Sequence, residues 1–349
     1  MKSALSFLSW VFLAMTTVAG DLPSGLPLAP PLGPKVGPPV VKSHIVVKEI
    51  LTIGRDKSAA FSQVGDIAVD GEGNIYATDR YQYKLKKFSS EGKLMGEFGR
   101  QGREQAAFES GPGFLAVGEN LVTVSDLTTD RVLTMTHRLG LLYDLRTPGP
   151  ASSLAPWSGD RFVCAVLPLG GSRDEILGLY NRENRLRNIH LDGVPDATTL
   201  RMVHVRIDRS NRLIVAYQFL NAVMVYDTLG NLLSSFRVPG LPDAAAADTL
   251  ERGSMGVIPR GDLIKSIAAY ADSLIFVLGG EYAEHPFRDI RVVDYRGNLR
   301  EVLTLPSETG LIYVDSKGFL YTREESRTLI RKYAIRHSST VQGQERASR

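Results

Sequence analysis

Two short turn signals alternate along this sequence, and they constrain its fold more than any other feature. The first runs DGEGNIY, GENLVTV, GDRFVCA, DRSNRLIV, ADSLIFV, DSKGFLY, and the second FSSEGKL, THRLGLL, YNRENRL, YDTLGNL, VDYRGNL. The runs between them are short and rich in β-branched and aromatic residues, which reads as strands. Gly and Asn recur where a tight hairpin needs positive φ. The clearest unit is residues 65–99, GDIAVDGEGNIYATDRYQYKLKKFSSEGKLMGEFG, which holds four such strands. Gly92, Gly140, Asn184 and Gly230 of the second turn recur roughly every 45 residues, with a longer step to Gly297, and four strands at this period are propeller spacing.

Further units follow at 113–145, 157–191, 202–238, 264–305 and 311–335. The sixth has only three strands. A propeller must close to hide its sheet edges, and an unpartnered strand, HIVVKEILTIG, precedes the first unit. The expected fold is therefore all-β: a six-bladed β-propeller of four-stranded blades over residues 44–336, the last blade closed by the N-terminal strand. The long interval carries residues 239–262, where Asp243, a run of alanines and Gly253 predict a short capped helix.

The flanks read differently. Residues 1–19 hold Lys2, an apolar run, and Thr17 and Ala19 at −3 and −1 of a cut before Gly20, the pattern of a secretory signal peptide. Residues 20–43 are dense in proline and glycine and read as a disordered spacer. Residues 337–349 read as a disordered polar tail. The expected location is secreted or periplasmic. Cys164 is the single cysteine, so no internal disulfide forms, and its apolar setting RFVCAVL makes it a core thiol. Trp157 is also expected in the core. The net charge of +3 is too even for a nucleic-acid partner.

The opening unit resembles the NHL repeat of six-bladed propellers. Val69, Asp70, Gly73, Asn74, Ile75, Tyr76, Asp79, Phe88, Gly92, Phe98 and Gly99 match that pattern in order. The fourth and sixth units match partly, and the others match by phase only. The resemblance implies the architecture and an exported bacterial type of propeller. It does not carry an activity, because such folds host many.

Phasing the first strands by their turn places Asp66, His204 and Leu311 at one channel level, with Phe114, Pro156 and Ala268 near it in the looser units. Gln63, Arg201, Lys265 and Glu308 fall near one rim. In a channel site His204 would act as base or ligand. Arg201 and Lys265 would meet an anionic group, and Asp66 or Glu308 a cation. Gluconolactonase-like hydrolases and peptide-amidating lyases resemble this architecture. The sequence shows neither the full carboxylate–Asn set of the former nor the several channel histidines of the latter. The excursion GGEYAEHPFRD, with Glu281, Tyr282, Glu284 and His285, suggests a metal loop. The expected role is a monomeric binding module without a cofactor, recognising a protein, peptide or glycan through one face of the disk. The alternatives are a calcium- or zinc-dependent hydrolase or lyase in the channel, and a structural envelope component.

Overall fold

A computed structural model describes residues 43–167, 176–191, 202–249, 257–271 and 273–339. The expected signal peptide, the spacer before residue 43, Arg201, Gly253 and the tail beyond 339 lie outside these residues.

Six four-stranded antiparallel sheets form the blades. Blade one is Val64–Val69, Ile75–Asp79, Lys84–Phe88 and Leu94–Phe98, ordered from the channel outward. Blades two to five begin with inner strands Pro112–Val117, Ala151–Trp157, Val203–Ile207 and Ile264–Tyr270. Blade six is Thr309–Val314, Phe319–Glu324 and Ile330–Ser339, and its outermost strand is Ser43–Ile53 from the beginning of the chain. That strand pairs antiparallel from Ser43 opposite Ser339 to Ile53 opposite Ile330. The third strand of blade six thus runs three residues past the tail boundary expected at 337.

The recurring turns have one physical basis. Asp70 accepts backbone N–H bonds from Glu72, Gly73 and Asn74, and its other oxygen accepts from the Asn74 amide at 2.9 Å and the Tyr76 hydroxyl at 3.2 Å. Asp315 repeats this with Lys317, Phe319 and the Tyr321 hydroxyl. Asp227 and Asp294 do the same in outer turns, each with an Asn four residues on. The residue three after each Asp takes the left-handed conformation, as at Gly73 (φ 98) and Gly230 (φ 83), which glycine adopts without strain.

The apolar residues form six clusters, each between two neighbouring blades. Trp157, Ile176 and Leu179 of blade three pack on Val205, Val215 and Tyr226 of blade four. Phe276 and Ile290 of blade five pack on Leu320, Tyr333 and Ile45 of blade six. Trp157 is a core residue, as expected, and so is Cys164, whose thiol burial pushes up to about 12.

The linking loops are pinned by buried cations on third strands. Arg131 donates to the Ala107 carbonyl at 3.0 Å, and Arg291 to that of Pro239 at 3.0 Å. Two expectations require correction. The segment 239–262 forms no helix in its described part. Ala247–Thr249 pairs with Val257–Pro259 as a hairpin instead. The Asp243 carbonyl accepts the Asn221 N–H at 2.8 Å, and Ala244 bridges Leu220, so tertiary pairing overrides the helix propensity of the alanines. In blades three and five, the positions level with Asp66 are Ser153 and Ser266 rather than Pro156 and Ala268. The first hairpins there close on Trp157–Arg161 and Tyr270–Leu274, tighter than Val69–Ile75, so phasing on the turn displaces the register.

Deleting residues 43–54 strips the outer strand from blade six, including buried Ile45 and Ile53. The melting temperature is expected to fall by about 10 °C or more. A truncated protein that melts with the full chain in calorimetry would refute closure by this strand.

Candidate functional site

Each inner strand pairs on one side only, so its other edge leaves backbone groups needing partners. Polar side chains of the preceding blade supply several of them. Asp66 of blade one accepts the Leu115 N–H of blade two at 3.0 Å. Ser153 of blade three accepts the Val205 N–H of blade four at 3.1 Å. His204 of blade four donates from Nε2 to the Ile264 carbonyl of blade five at 3.2 Å. The Ser266 hydroxyl of blade five accepts the Ile312 N–H of blade six at 3.2 Å. At the last seam, Arg323 of blade six donates to the Gly65 carbonyl of blade one at 2.6 Å.

The channel residues expected from sequence thus occupy defined places. Asp66 is buried, and its second oxygen accepts from the Ile67 N–H at 2.8 Å. The structure does not bring it to His204, since each side chain turns to the next blade. Gln63 is half-buried, with its N–H on Asp79 at 3.1 Å. Glu308 is exposed, and its carbonyl accepts the Glu325 N–H at 3.2 Å. Lys265 pairs with Asp262, whose carboxylate also accepts from Gln218. Lys265 therefore joins His204 in one group at the seam of blades four and five. Burial, then the nearby Arg206 guanidinium, pushes the His204 imidazole down to about 4. Burial, then Asp262, raises the Glu281 carboxyl.

All of this lies on the face where the inner strands begin, termed here the upper face. The same face carries a second group that inner-strand phasing overlooked. Arg80 and Arg323 stand near the ends of second strands in blades one and six, and Arg327 follows in the next turn. Arg323 reaches Gly65 and also donates to Gly310 at 3.1 Å. A Cβ on Gly310 would lie 2.3 Å from its Nη2, and one on Gly65 would lie 3.1 Å from Arg80 Nε. Both positions need glycine so that the guanidinium groups can approach. Burial, then Arg327, pushes Arg80 down to about 10, and burial, then Arg80 and Arg327, pushes Arg323 to about 9. The signal that could have found them is an arginine at or just past the end of a second strand, as at Arg80 after Asp79 and Arg323 before Glu324.

The excursion in blade five brings Glu284 and His285 to Asp289, with candidate ligand atoms within 4.8 Å of one another. Asp289 is already engaged. It accepts the His285 N–H at 3.0 Å and the Thr304 hydroxyl at 2.8 Å, as well as facing the His285 ring. Asp79 and Asp126 pin backbone N–H groups of loops in the same way. The two other residues singled out in this excursion go elsewhere. Tyr282 roots the hairpin, its hydroxyl lying between the Ala246 N–H and the Arg260 carbonyl, and Glu281 accepts the Asp262 N–H.

No protein-family model matches this sequence, and no curated relative matches it. Solved structures do. The chain is similar to a streptogramin B lyase structure, with TM-score 0.55 and 14% identity over 86% of this chain and 100% of that one. It is similar to the RRP9 WD40 repeats, with TM-score 0.55 and 12% identity over 84% and 97%. A Bacteroides thetaiotaomicron protein of unknown function gives TM-score 0.53 and 15% identity over 84% and 77%. At these identities the likeness shows the propeller fold alone. The fold is shared by enzymes and by WD40 modules.

His204 links to stability with a definite sign. Its folded pKa of about 4 lies below its ordinary 6.5, so the unfolded chain takes up the proton first. The stability from its neutral form is complete above pH 6.5 and is lost as pH falls toward 4. In urea titrations, His204→Gln is expected to weaken the acid sensitivity across that window. Equal sensitivity in both proteins would contradict the assigned state.

Proposed function

We propose that the chain is an exported NHL-type propeller whose upper face binds a protein, peptide or glycan. The observation that carries this reading is the hairpin Ala247–Thr249/Val257–Pro259. It is an addition to the blade pattern, and it rises beside the Asp262–Lys265–His204 group. Its base is held by Tyr282, through the Ala246 N–H at 2.8 Å and the Arg260 carbonyl at 3.1 Å. Such a rooted projection adds contact surface without altering the ring.

Channel catalysis fits the same residues less well. An efficient general base titrates near the working pH. His204 is driven down to about 4, with one ring nitrogen engaged by a backbone carbonyl. Its placement suits it to holding blades together. The role proposed here is that of a monomer acting without a cofactor, in a secreted or periplasmic setting. No helix among the described residues is long and apolar enough to cross a membrane.

Replacing residues 247–259 with a short Gly-Ser linker tests the reading. The variant is expected to melt with the wild type and to lose a partner that the wild type retains from the exported fraction of its source cells. Equal retention by both proteins, or by neither, would remove the hairpin as a binding element.

A further inference from the structure

We propose that the central channel holds a binding site for a small monocarboxylate, formed by the Arg206 guanidinium and the Tyr313 hydroxyl. The site goes beyond the upper-face reading and does not depend on it.

Two residues on from the Asp66 level, the six inner strands carry Ala68, Ala116, Ala155, Arg206, Ala268 and Tyr313. Four of these positions hold only a methyl group, so Arg206 and Tyr313 are the long side chains at this height. Both are partly exposed. They stand in blades four and six, with blade five between them. The Arg206 charge nonetheless acts on Tyr313 as well as on His204 beside it. The guanidinium therefore reaches toward blade six over the channel.

That guanidinium has donors left. Its Nη1 donates to the Val205 carbonyl at 2.9 Å, and its buried Nε has no acceptor. Among the described residues, no carboxylate lies at ion-pair distance from it. The acids on or just beyond the inner strands of blades one, four and six serve other groups. Asp66 accepts two backbone N–H groups, Asp70 and Asp315 organise their own turns, and Asp208 holds Arg212 and Tyr295. The neighbouring cations add no surplus. Lys265 is paired with Asp262, and burial, then Arg206 itself, holds His204 neutral. One positive charge thus stands in the channel without a counter-charge, where desolvation makes that costly.

A single uncompensated charge calls for a monoanion. A carboxylate arriving side-on takes Nε and Nη2 as a two-bond fork while Nη1 keeps Val205. Tyr313 supplies a further donor. Burial pushes its phenol up to about 12, so it keeps its proton at neutral pH. Its present acceptor, the Val69 carbonyl, is distant at 3.4 Å, which leaves the hydroxyl available to a closer oxygen. A doubly charged phosphate would bring one negative charge that nothing here matches. The four alanines are no more than 2% exposed, so the open space at this height is narrow and the ligand is small.

The test follows the melting of the whole chain in about 50 mM sodium acetate, against sodium chloride and sodium phosphate at equal ionic strength. The expected result is a rise of about 2 °C or more in acetate over chloride for the wild type, lost in Arg206→Gln, partly kept in Arg206→Lys and reduced in Tyr313→Phe. No rise in the wild type, or an equal rise in Arg206→Gln, overturns the proposal. Tyr313→Phe removes only a hydroxyl. If Arg206→Gln fails to fold, an undiminished rise in Tyr313→Phe overturns the proposal instead. A larger Arg206-dependent rise in phosphate overturns the carboxylate assignment. The replacement of residues 247–259 is expected to leave the acetate effect intact, so the hairpin reading and this one fail separately.

Discussion

The ring has to close, and that one requirement organises the rest of the protein. Each apolar cluster lies between two blades, so no blade buries its faces alone. A gap at any seam would expose two faces and an inner-strand edge together. The chain meets this demand twice at the last seam. The strand Ser43–Ile53 completes blade six by pairing with Ile330–Ser339. Arg323 then reaches over to the carbonyls at the start of blade one. The first device closes the sheet and the second closes the ring.

This explains why the residues first suspected of chemistry turn out to be fastened. Inner strands offer backbone groups that the preceding blade must satisfy, and a polar side chain at the channel level is well placed to do so. Asp66 and His204 are such side chains. Other buried cations lie one strand further out, at the ends of the second strands, where turns rather than strand edges surround them. Arg80 and Arg323 stand there, and Lys265 with Asp262 stands at the corresponding height between blades four and five.

Much of the architecture was legible in the sequence because its turns obey a local rule. An Asp followed three residues later by Gly or Asn organises backbone N–H groups by itself, whatever surrounds it. Asp70, Asp227, Asp294 and Asp315 each show this, so the phase of the blades could be read without any contact information. The closing strand was legible by subtraction, as a strand lacking a partner. The hairpin at 247–259 was not, because its pairing depends on Asn221 and Tyr282, distant in sequence, while the alanines themselves favour helix. The arginine group was also hidden. Arg80 and Arg327 are about 250 residues apart and meet only once the ring has closed.

The closing strand also fixes how the disk presents itself. Ser43 lies opposite Ser339 at the end of the blade where third strands finish, the rim away from the upper face. Residues 43 and 339 therefore stand side by side, on the perimeter of the lower side. Both points lie on the side of the disk away from the arginine seam and the hairpin. Their adjacency comes from the topology itself, because the fourth strand of the last blade is taken from the beginning of the ring.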